Sequence, residues 1–158
     1  ESSENILLQL SANSINVNVA GTTFSSKLIE GKFPDYEQVI PTGESSTLSI
    51  NKKSLSESLS RVSVLSSEKF RGVRLVTSEN LINISANNPE KEQAEESVEC
   101  SYNGENIDIA FNVNYIQEIL SSAEGDLIEM HFFGSDKSCL ITNPGSESFK
   151  YVVMPLLI

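Results

Sequence analysis

The sequence predicts an α+β fold in which two helices pack against a mostly antiparallel sheet. Apolar and polar residues alternate over many short runs of the 158-residue chain, which is typical of half-buried strands. Two other segments carry apolar side chains at helical spacing, and each follows a short strand and an asparagine. The length indicates one domain, or one domain and a fragment of another, with enough residues for a sizeable core.

Three strands are expected near the N-terminus, in residues 6–10, 15–19 and 22–29, because each run alternates or is rich in β-branched and aromatic residues. The segment 31–41 is then predicted to be an extended crossing between two structural units. Proline fixes φ and has no N–H, so neither of its two prolines fits inside a central strand. An ordinary proline-bounded linker with a buried Phe33 and Tyr36 is the alternative interpretation.

The first helix is expected to begin after Asn51, a favourable N-cap residue. Its apolar face has the helical spacing i, i+4, i+7 and i+10. That face consists of Leu55, Leu59, Val62 and Leu65. The opposite face is mostly basic, and its charged residues are Lys52, Lys53, Glu57 and Arg61.

The second helix is expected to begin near Asn112 or Asn114, since either residue could cap it. Gly125 is placed to end this helix in the left-handed conformation. The residues expected to face the core are Tyr115, Ile116, Ile119 and Leu120.

Further strands follow the two helices, and Asn103-Gly104 is the strongest hairpin signal in the chain. The predicted strands are 48–50, 72–77, 81–86, 90–102, 107–111, 127–133, 138–142 and 149–154.

The chain contains an internal repeat of about 60 residues. Residues 48–86 and 106–142 both have the pattern strand–helix–strand–strand, which indicates a domain built of two similar halves. Residues 14–29 resemble 138–154, the end of that unit. We therefore predict that residues 1–40 are the closing strands of a preceding similar domain, and that residues 41–158 form the two-fold repeated domain.

The net charge of −11 argues against DNA binding through a basic surface, because neutralising phosphates needs clustered Lys and Arg. Charge can still be distributed unevenly along the chain. No apolar run reaches the length of a membrane span, and the acidic start does not have the pattern of a signal peptide. A chain that starts with Glu1 rather than Met is compatible with a piece of something longer.

No catalytic constellation can be defined from these residues. His131 is the single histidine, in a strand pattern on the face opposite Met130 and Phe132, and no Ser-His-Asp order can be assigned around it. The glycines lie at turns rather than in a phosphate-binding loop. Cys100 and Cys139 have no metal-ligand spacing and favour buried, reduced thiols in a cytoplasmic protein. We therefore expect no enzyme activity, no cofactor and no metal site.

Residues 90–102 form a predicted strand that is unusually acidic. Its carboxylates are Glu90, Glu92, Glu95, Glu96 and Glu99. Like charges on an edge strand discourage wrong pairing, and they need a basic complement wherever the edge does pair. Two interpretations remain open, a solvated acidic face and a subunit-contact edge on which Glu90, Glu92 and Glu96 share one face.

Five segments carry a family resemblance in chain order. They are 31–36 (GKFPDY), 65–75 (LSSEKFRGVRL), 86–90 (ANNPE), 111–113 (FNV) and 151–155 (YVVMP). With them the whole chain resembles the bacterial DNA polymerase III β subunit, the sliding clamp. The resemblance implies the DNA-clamp fold, with the end of the second of three clamp domains followed by the third.

The family resemblance also implies a function. Two protomers of the clamp close head-to-tail into a ring around duplex DNA, without sequence preference, as a processivity factor. The ring tethers the replicative polymerase, the clamp loader, other polymerases and repair proteins. A peptide-binding or assembly domain without a DNA role is the main alternative, and an enzyme of unknown chemistry is a third.

The resemblance assigns three sets of residues. The partner-peptide pocket would comprise Pro34, Val39, Phe70, Asn112, Tyr115, Ser138, Val152, Val153, Met154, Pro155 and Leu156. The ring contact would comprise Val64, Leu65, Glu90, Glu92, Glu95 and Glu96. The DNA-facing cations would be Lys52, Lys53 and Arg61. Gln38 and Leu157 stand where many relatives have basic residues, which puts polar contacts at the pocket rim in doubt.

Overall fold

The computed structural model describes residues 6–31, 35–67, 71–146 and 149–157. The chain divides into two units, residues 1–35 and 36–158. The division falls slightly before the boundary expected at residue 40, because the short 3-10 turn Tyr36–Gln38 belongs to the second unit.

The first unit is a three-stranded antiparallel sheet. Its strands are β1 (Leu7–Leu10), β2 (Ser14–Val19) and β3 (Thr22–Lys27), paired in the order β1-β2-β3, which confirms the three predicted strands. The turn between β2 and β3 has positive φ at both Ala20 and Gly21, the backbone of a tight hairpin whose twist matches that of its strands. No residue of these strands is buried.

The second unit consists of two successive strand–helix–strand–strand–strand repeats, which confirms the predicted repeat and adds one strand to each half. The first repeat contains β4 (Ser46–Asn51), α1 (Lys52–Ser63), β5 (Gly72–Ser78), β6 (Leu81–Asn87) and β7 (Gln93–Glu99). The second contains β8 (Asp108–Asn112), α2 (Val113–Ser122), β9 (Leu127–Phe132), β10 (Cys139–Thr142) and β11 (Lys150–Val153).

The two repeats exchange their opening strands. One sheet has the order β7-β6-β5-β8 and the other has the order β11-β10-β9-β4, with antiparallel pairing throughout. Strand β4 of the first repeat therefore lies beside β9 of the second, and β8 of the second lies beside β5 of the first. Each sheet is complete only when both halves of the domain are present.

A single hydrophobic core lies between the helices and the two sheets. From the helices, Leu55 and Leu59 of α1 and Ile116 of α2 are fully buried. The helices are also joined by hydrogen bonds, since the Gln117 side-chain amide donates to the Ser56 carbonyl oxygen at 2.8 Å and accepts from the Ser56 hydroxyl at 2.8 Å.

Each helix is capped at its N-terminus by an asparagine side chain. The Asn51 side-chain oxygen accepts from the Ser54 N–H at 3.0 Å, and that of Asn112 accepts from the Asn114 N–H at 2.9 Å. These bonds satisfy N–H groups that lack a partner within the helix. Asn112, rather than Asn114, is therefore the N-cap of α2.

Three details of the helix predictions are wrong. Leu65 lies beyond the last residue of α1 and is only half-buried. Tyr115 is 57% exposed rather than in the core. Gly125 has φ +73°, but it lies in the turn before β9, because α2 ends at Ser122 and Ala123 is already extended.

The predicted hairpin at Asn103-Gly104 is also wrong, since β7 and β8 lie at opposite edges of one sheet. The connection instead crosses the end of the β5–β6 hairpin, where the Asn80 N–H donates to the Tyr102 carbonyl at 3.0 Å. A Cβ on Gly104 would lie 2.5 Å from the Ser46 Cβ. This glycine therefore permits a close approach of chains rather than a hairpin turn.

The acidic strand is shorter than predicted, and its carboxylates do not share one face. Glu90 and Glu92 precede β7, in a turn where Lys91 has φ +66°. Within β7, Glu95 is exposed on one face, while Glu96 is half-buried on the other, beside α1.

An ion pair joins α1 to the edge strand β7. The guanidinium of Arg61 donates to both carboxylate oxygens of Glu96, with Nε–Oε1 at 2.6 Å and Nη2–Oε2 at 2.8 Å. The bidentate geometry stabilises the carboxylate form, and it lowers the pKa of Glu96 from its ordinary value of 4.5 to about 2. Folding is therefore favoured by this pair whenever Glu96 is ionised.

We expect Glu96→Gln to lower the free energy of unfolding in a pH-dependent way. Because the folded-state pKa lies below the unfolded one, the stabilisation is complete above pH 4.5 and is lost as the pH falls toward 2. Urea unfolding of both proteins between pH 7 and pH 2 measures this difference. Glu99→Gln, on the same strand, is the matched control, and a constant Glu96→Gln effect across the range would contradict the prediction.

Candidate functional site

An open groove runs between α2 and the last strand of the chain. Its volume is about 520 Å³. The residues that α2 contributes are Tyr115, Glu118, Ile119 and Ser122. Strand β11 and the residue after it contribute Tyr151, Val152, Val153 and Met154.

The groove has an apolar floor and exposed apolar edges. Val153 is 4% exposed and forms part of the floor, whereas Met154 is 69% exposed and Tyr115 is 57% exposed. Phe149 stacks on Tyr151, with ring centroids 6.4 Å apart and an interplanar angle of 13°. Such large exposed apolar side chains at a concave surface are typical of a binding site.

The structure brings together only some of the pocket residues that the resemblance implied. Tyr115, Val152, Val153 and Met154 line the groove. Ser138 directly precedes β10, whose first residue, Cys139, pairs with Val153.

The remaining pocket residues lie elsewhere or cannot be placed. Asn112 caps α2 with its side chain. Val39 follows the 3-10 turn and is 45% exposed, Pro155 continues the tail from Met154, and Leu156 lines a different cavity, beside Gly72. Pro34 and Phe70 lie outside the described residues.

Sequence reasoning missed Glu118, Ser122 and Tyr151 as groove residues and assigned Ile119 to the core alone. A signal for three of these was present, because 118, 119 and 122 follow Tyr115 at spacings of three, four and seven, which places them on one side of a helix.

The residues implied for the ring contact lie around the edge strand β7 and the end of α1. Val64 is 77% exposed, and Leu65 beside it is half-buried. Glu96 is bound to Arg61, and two further carboxylates also have partners within the chain. Asn83 donates to Glu95 at 2.6 Å, and Asn88 donates to Glu92 at 2.7 Å. Glu90 is exposed in the turn that leads into the strand.

The three cations implied to face DNA have different surroundings. Lys53 has an 83% exposed side chain, 3.8 Å from Glu57. Lys52 donates to the Ala123 carbonyl at 2.7 Å, at the C-terminus of α2, where a cation is favoured by the helix dipole. Arg61 is held by Glu96. Lys53 is thus the most solvent-directed of the three.

His131 lies on the outer face of β9, as the sequence predicted, with its ring nitrogens 3.0 Å from Thr47 Oγ1 and 2.9 Å from Thr142 Oγ1. The described residues contain no group of three or more His, Cys, Asp or Glu side chains placed to hold a metal ion. In the same part of the chain, neither helix is long and apolar enough to cross a membrane.

Comparison with known proteins gives consistent matches. The family model described as DNA polymerase III beta subunit, C-terminal domain, matches residues 37–157. The beta sliding clamp of Vibrio cholerae is 40% identical over 151 residues, which cover 96% of this chain and 41% of that protein. The beta sliding clamp of Escherichia coli K12 is likewise 40% identical over 149 residues, 94% of this chain and 41% of that protein.

The solved structures agree with the sequence matches. The DNA polymerase III subunit beta from Pseudomonas aeruginosa superposes with a TM-score of 0.88 at 39% identity, covering 100% of this chain and 44% of that one. The chain spans about two fifths of the length of the curated relatives it matches. From the family match over residues 37–157 and these similarities, the chain belongs to the bacterial DNA polymerase III β subunit family, the sliding clamps.

Proposed function

We propose that this chain supplies the third domain, and the end of the second, of a clamp that encircles duplex DNA and makes the replicative polymerase processive. The clamp has no catalytic activity of its own and needs no cofactor, and it acts on the chromosome inside the bacterial cell. The observation that carries the proposal is the family match over residues 37–157. An apolar groove supports it, because four residues that the resemblance assigns to a partner pocket line this groove, Tyr115, Val152, Val153 and Met154.

We infer that the groove between α2 and β11 binds short partner peptides with Leu and Phe anchors. Val153 and Ile119 give it an apolar floor, and Met154 stands exposed at its edge. An unbranched, polarizable Met side chain adapts to different anchors, which suits a hub that serves a polymerase, a clamp loader and repair proteins in turn. A clamp from Pseudomonas aeruginosa, 39% identical to this chain, was solved bound to griselimycin, which supports a ligand-binding role in this family.

We expect Met154→Ala to weaken the binding of a short Gln/Leu/Phe-type clamp peptide by about 1–3 kcal/mol, because it removes a large apolar contact. Calorimetric titration of the chain with this peptide measures the change. Leu127→Ala, a half-exposed residue on β9, is the matched control and should leave affinity unchanged. Equal affinity of wild type and Met154→Ala would rule out this assignment of the groove.

In the proposed role, the clamp remains on DNA because its ring encloses the duplex, and not because it has a high affinity for DNA. The whole chain has a net charge of −11, yet α1 presents three cations and one carboxylate, Glu57. We propose that α1 faces the duplex and that Lys53 makes loose phosphate contacts, since contacts that are weak allow sliding. A locally positive channel in an acidic protein is sufficient for this role.

A full-length clamp that contains this chain should remain on closed circular DNA in high salt, because a topological link does not depend on ion pairs. It should leave when the same DNA is cut once. Retention can be followed by gel filtration of the loaded DNA. Loss of the clamp from uncut circles at high salt would favour the alternative, a peptide-binding domain without a DNA role.

The ring contact is proposed at Val64, Leu65 and the edge strand β7. An edge strand offers unpaired backbone groups to a second chain, and its carboxylates would steer a basic partner surface. Glu92, Glu95 and Glu96 accept hydrogen bonds within the chain, and Glu90 and Val64 are exposed contributors.

Leu65→Asp in the full-length clamp should convert the dimer to a monomer, because it places a charge in an apolar contact. Light scattering measures the molar mass. Val64→Asp, at a 77% exposed position, repeats the test with less risk to folding, and Leu127→Asp should leave the dimer intact. A dimer that persists in both interface variants would place the contact elsewhere.

A further inference from the structure

Residues 153–156 cross from the edge of one sheet to the edge of the other. Val153 ends β11 and pairs with Cys139 of β10. Three residues later, Leu156 forms an isolated antiparallel bridge with Ala110 of β8, and its N–H donates to the Ala110 carbonyl at 2.8 Å. Met154 and Pro155 therefore span the space between the two sheets.

The side chain of Leu156 is half-buried in a recess on the outer face of β5 and β8, beside Gly72 and Ala110. Along β8, Ile109 and Phe111 point into the core, so alternation directs Ala110 outward. Ala110 is nevertheless only 7% exposed, because the tail lies beside it. Gly72 of β5 faces the same side, and a Cβ there would lie 3.4 Å from Leu156 Cδ1.

Leu156 is the side chain that fixes this tail. Leu156 and Pro155 are half-buried, whereas Met154 is 69% exposed and Leu157 is 98% exposed. On the other side of Met154, Val153 is buried in the core. Met154 thus lies between two fixed points, and Pro155 restricts the segment further, because proline fixes its own φ and favours extended backbone in the residue before it.

We propose that Leu156 is a positioning residue for the groove: seated on Gly72 and Ala110, it holds the tail so that Met154 borders the peptide site. Leu156 then acts on the peptide site through the position of Met154. The effect on peptide binding rests on the proposed function of the groove. The effect on the position of Met154 does not.

The chain offers a direct readout, because Met130 and Met154 are its two methionines. Carbon-13 methyl labelling of Met gives one NMR signal for each, and Met130, which is 0% exposed, serves as an internal reference. Gly72→Val should fill the recess and expel Leu156, since a β-branched residue suits a strand but not this contact. The Met154 signal should then move, and the Met130 signal should stay.

Gly72→Ala is the matched control, because its Cβ meets Leu156 at ordinary contact distance, and it should leave both signals in place. Leu156→Ala empties the recess and should move the Met154 signal in the same way as Gly72→Val. A Met154 signal that is unchanged in both Gly72→Val and Leu156→Ala would overturn the proposal.

Peptide titration distinguishes positioning from contact. Leu156→Ala and Gly72→Val should each weaken binding of the Gln/Leu/Phe-type peptide about tenfold, and Leu156→Met should retain it. In a Met154→Ala background, Leu156→Ala should cause no further loss. An equal loss in both backgrounds would mean that Leu156 acts independently of Met154 and would contradict the proposal. If the unmodified chain bound no peptide, the proposed function of the groove would fail. A Met154 signal that moved in Gly72→Val and Leu156→Ala would still support the positioning role of Leu156.

Discussion

The exchange of strands between the two repeats is the constraint on which the rest of the domain depends. Because β4 pairs with β9 and β8 pairs with β5, neither half can complete a sheet alone, and the core between the sheets forms only when both halves fold together. Each helix follows directly from one of the exchanged strands, through Asn51 or Asn112. The exchange therefore places α1 and α2 side by side on one layer, where Gln117 of α2 binds the backbone of Ser56.

The same exchange fixes where the sheet edges lie, and the candidate functional surfaces lie at these edges. One sheet runs from β7 to β8 and the other from β11 to β4. β7 presents the acidic edge proposed for the ring contact, β11 forms a wall of the groove, and β8 is covered by the tail through Leu156. An open edge is a risk of uncontrolled pairing, so each of these edges either carries charge, borders a helix or is covered by chain.

The repeat, the helices and most strands could be predicted from sequence because they depend on local periodicity and capping. Alternation identified β5 and β6, and Asn51 identified the start of α1. The prediction of a hairpin at Asn103-Gly104 was wrong because Gly104 makes room for Ser46, a residue far away in the sequence, rather than for a tight turn. In the groove, Tyr115 and Met154 came from the family resemblance, and helical spacing from Tyr115 could have indicated Glu118. Tyr151 depends on how β11 lies against α2, which no local pattern encodes.

Three cations of this domain are bound within the chain, and this limits how they can act on a partner. Arg61 is paired with Glu96, Lys52 binds the carbonyl at the end of α2, and Arg74 donates to both Asp108 oxygens through its Nε and Nη2. These bonds join a helix to a strand, one helix to the other and one strand to another, so the three cations are not available to bind a phosphate backbone. A protein with such a surface would bind open DNA weakly, so the proposed clamp would need a closed ring to remain on the duplex. The internal pairing of its cations is thus consistent with sliding, because weak contacts along the channel do not trap the clamp at one position.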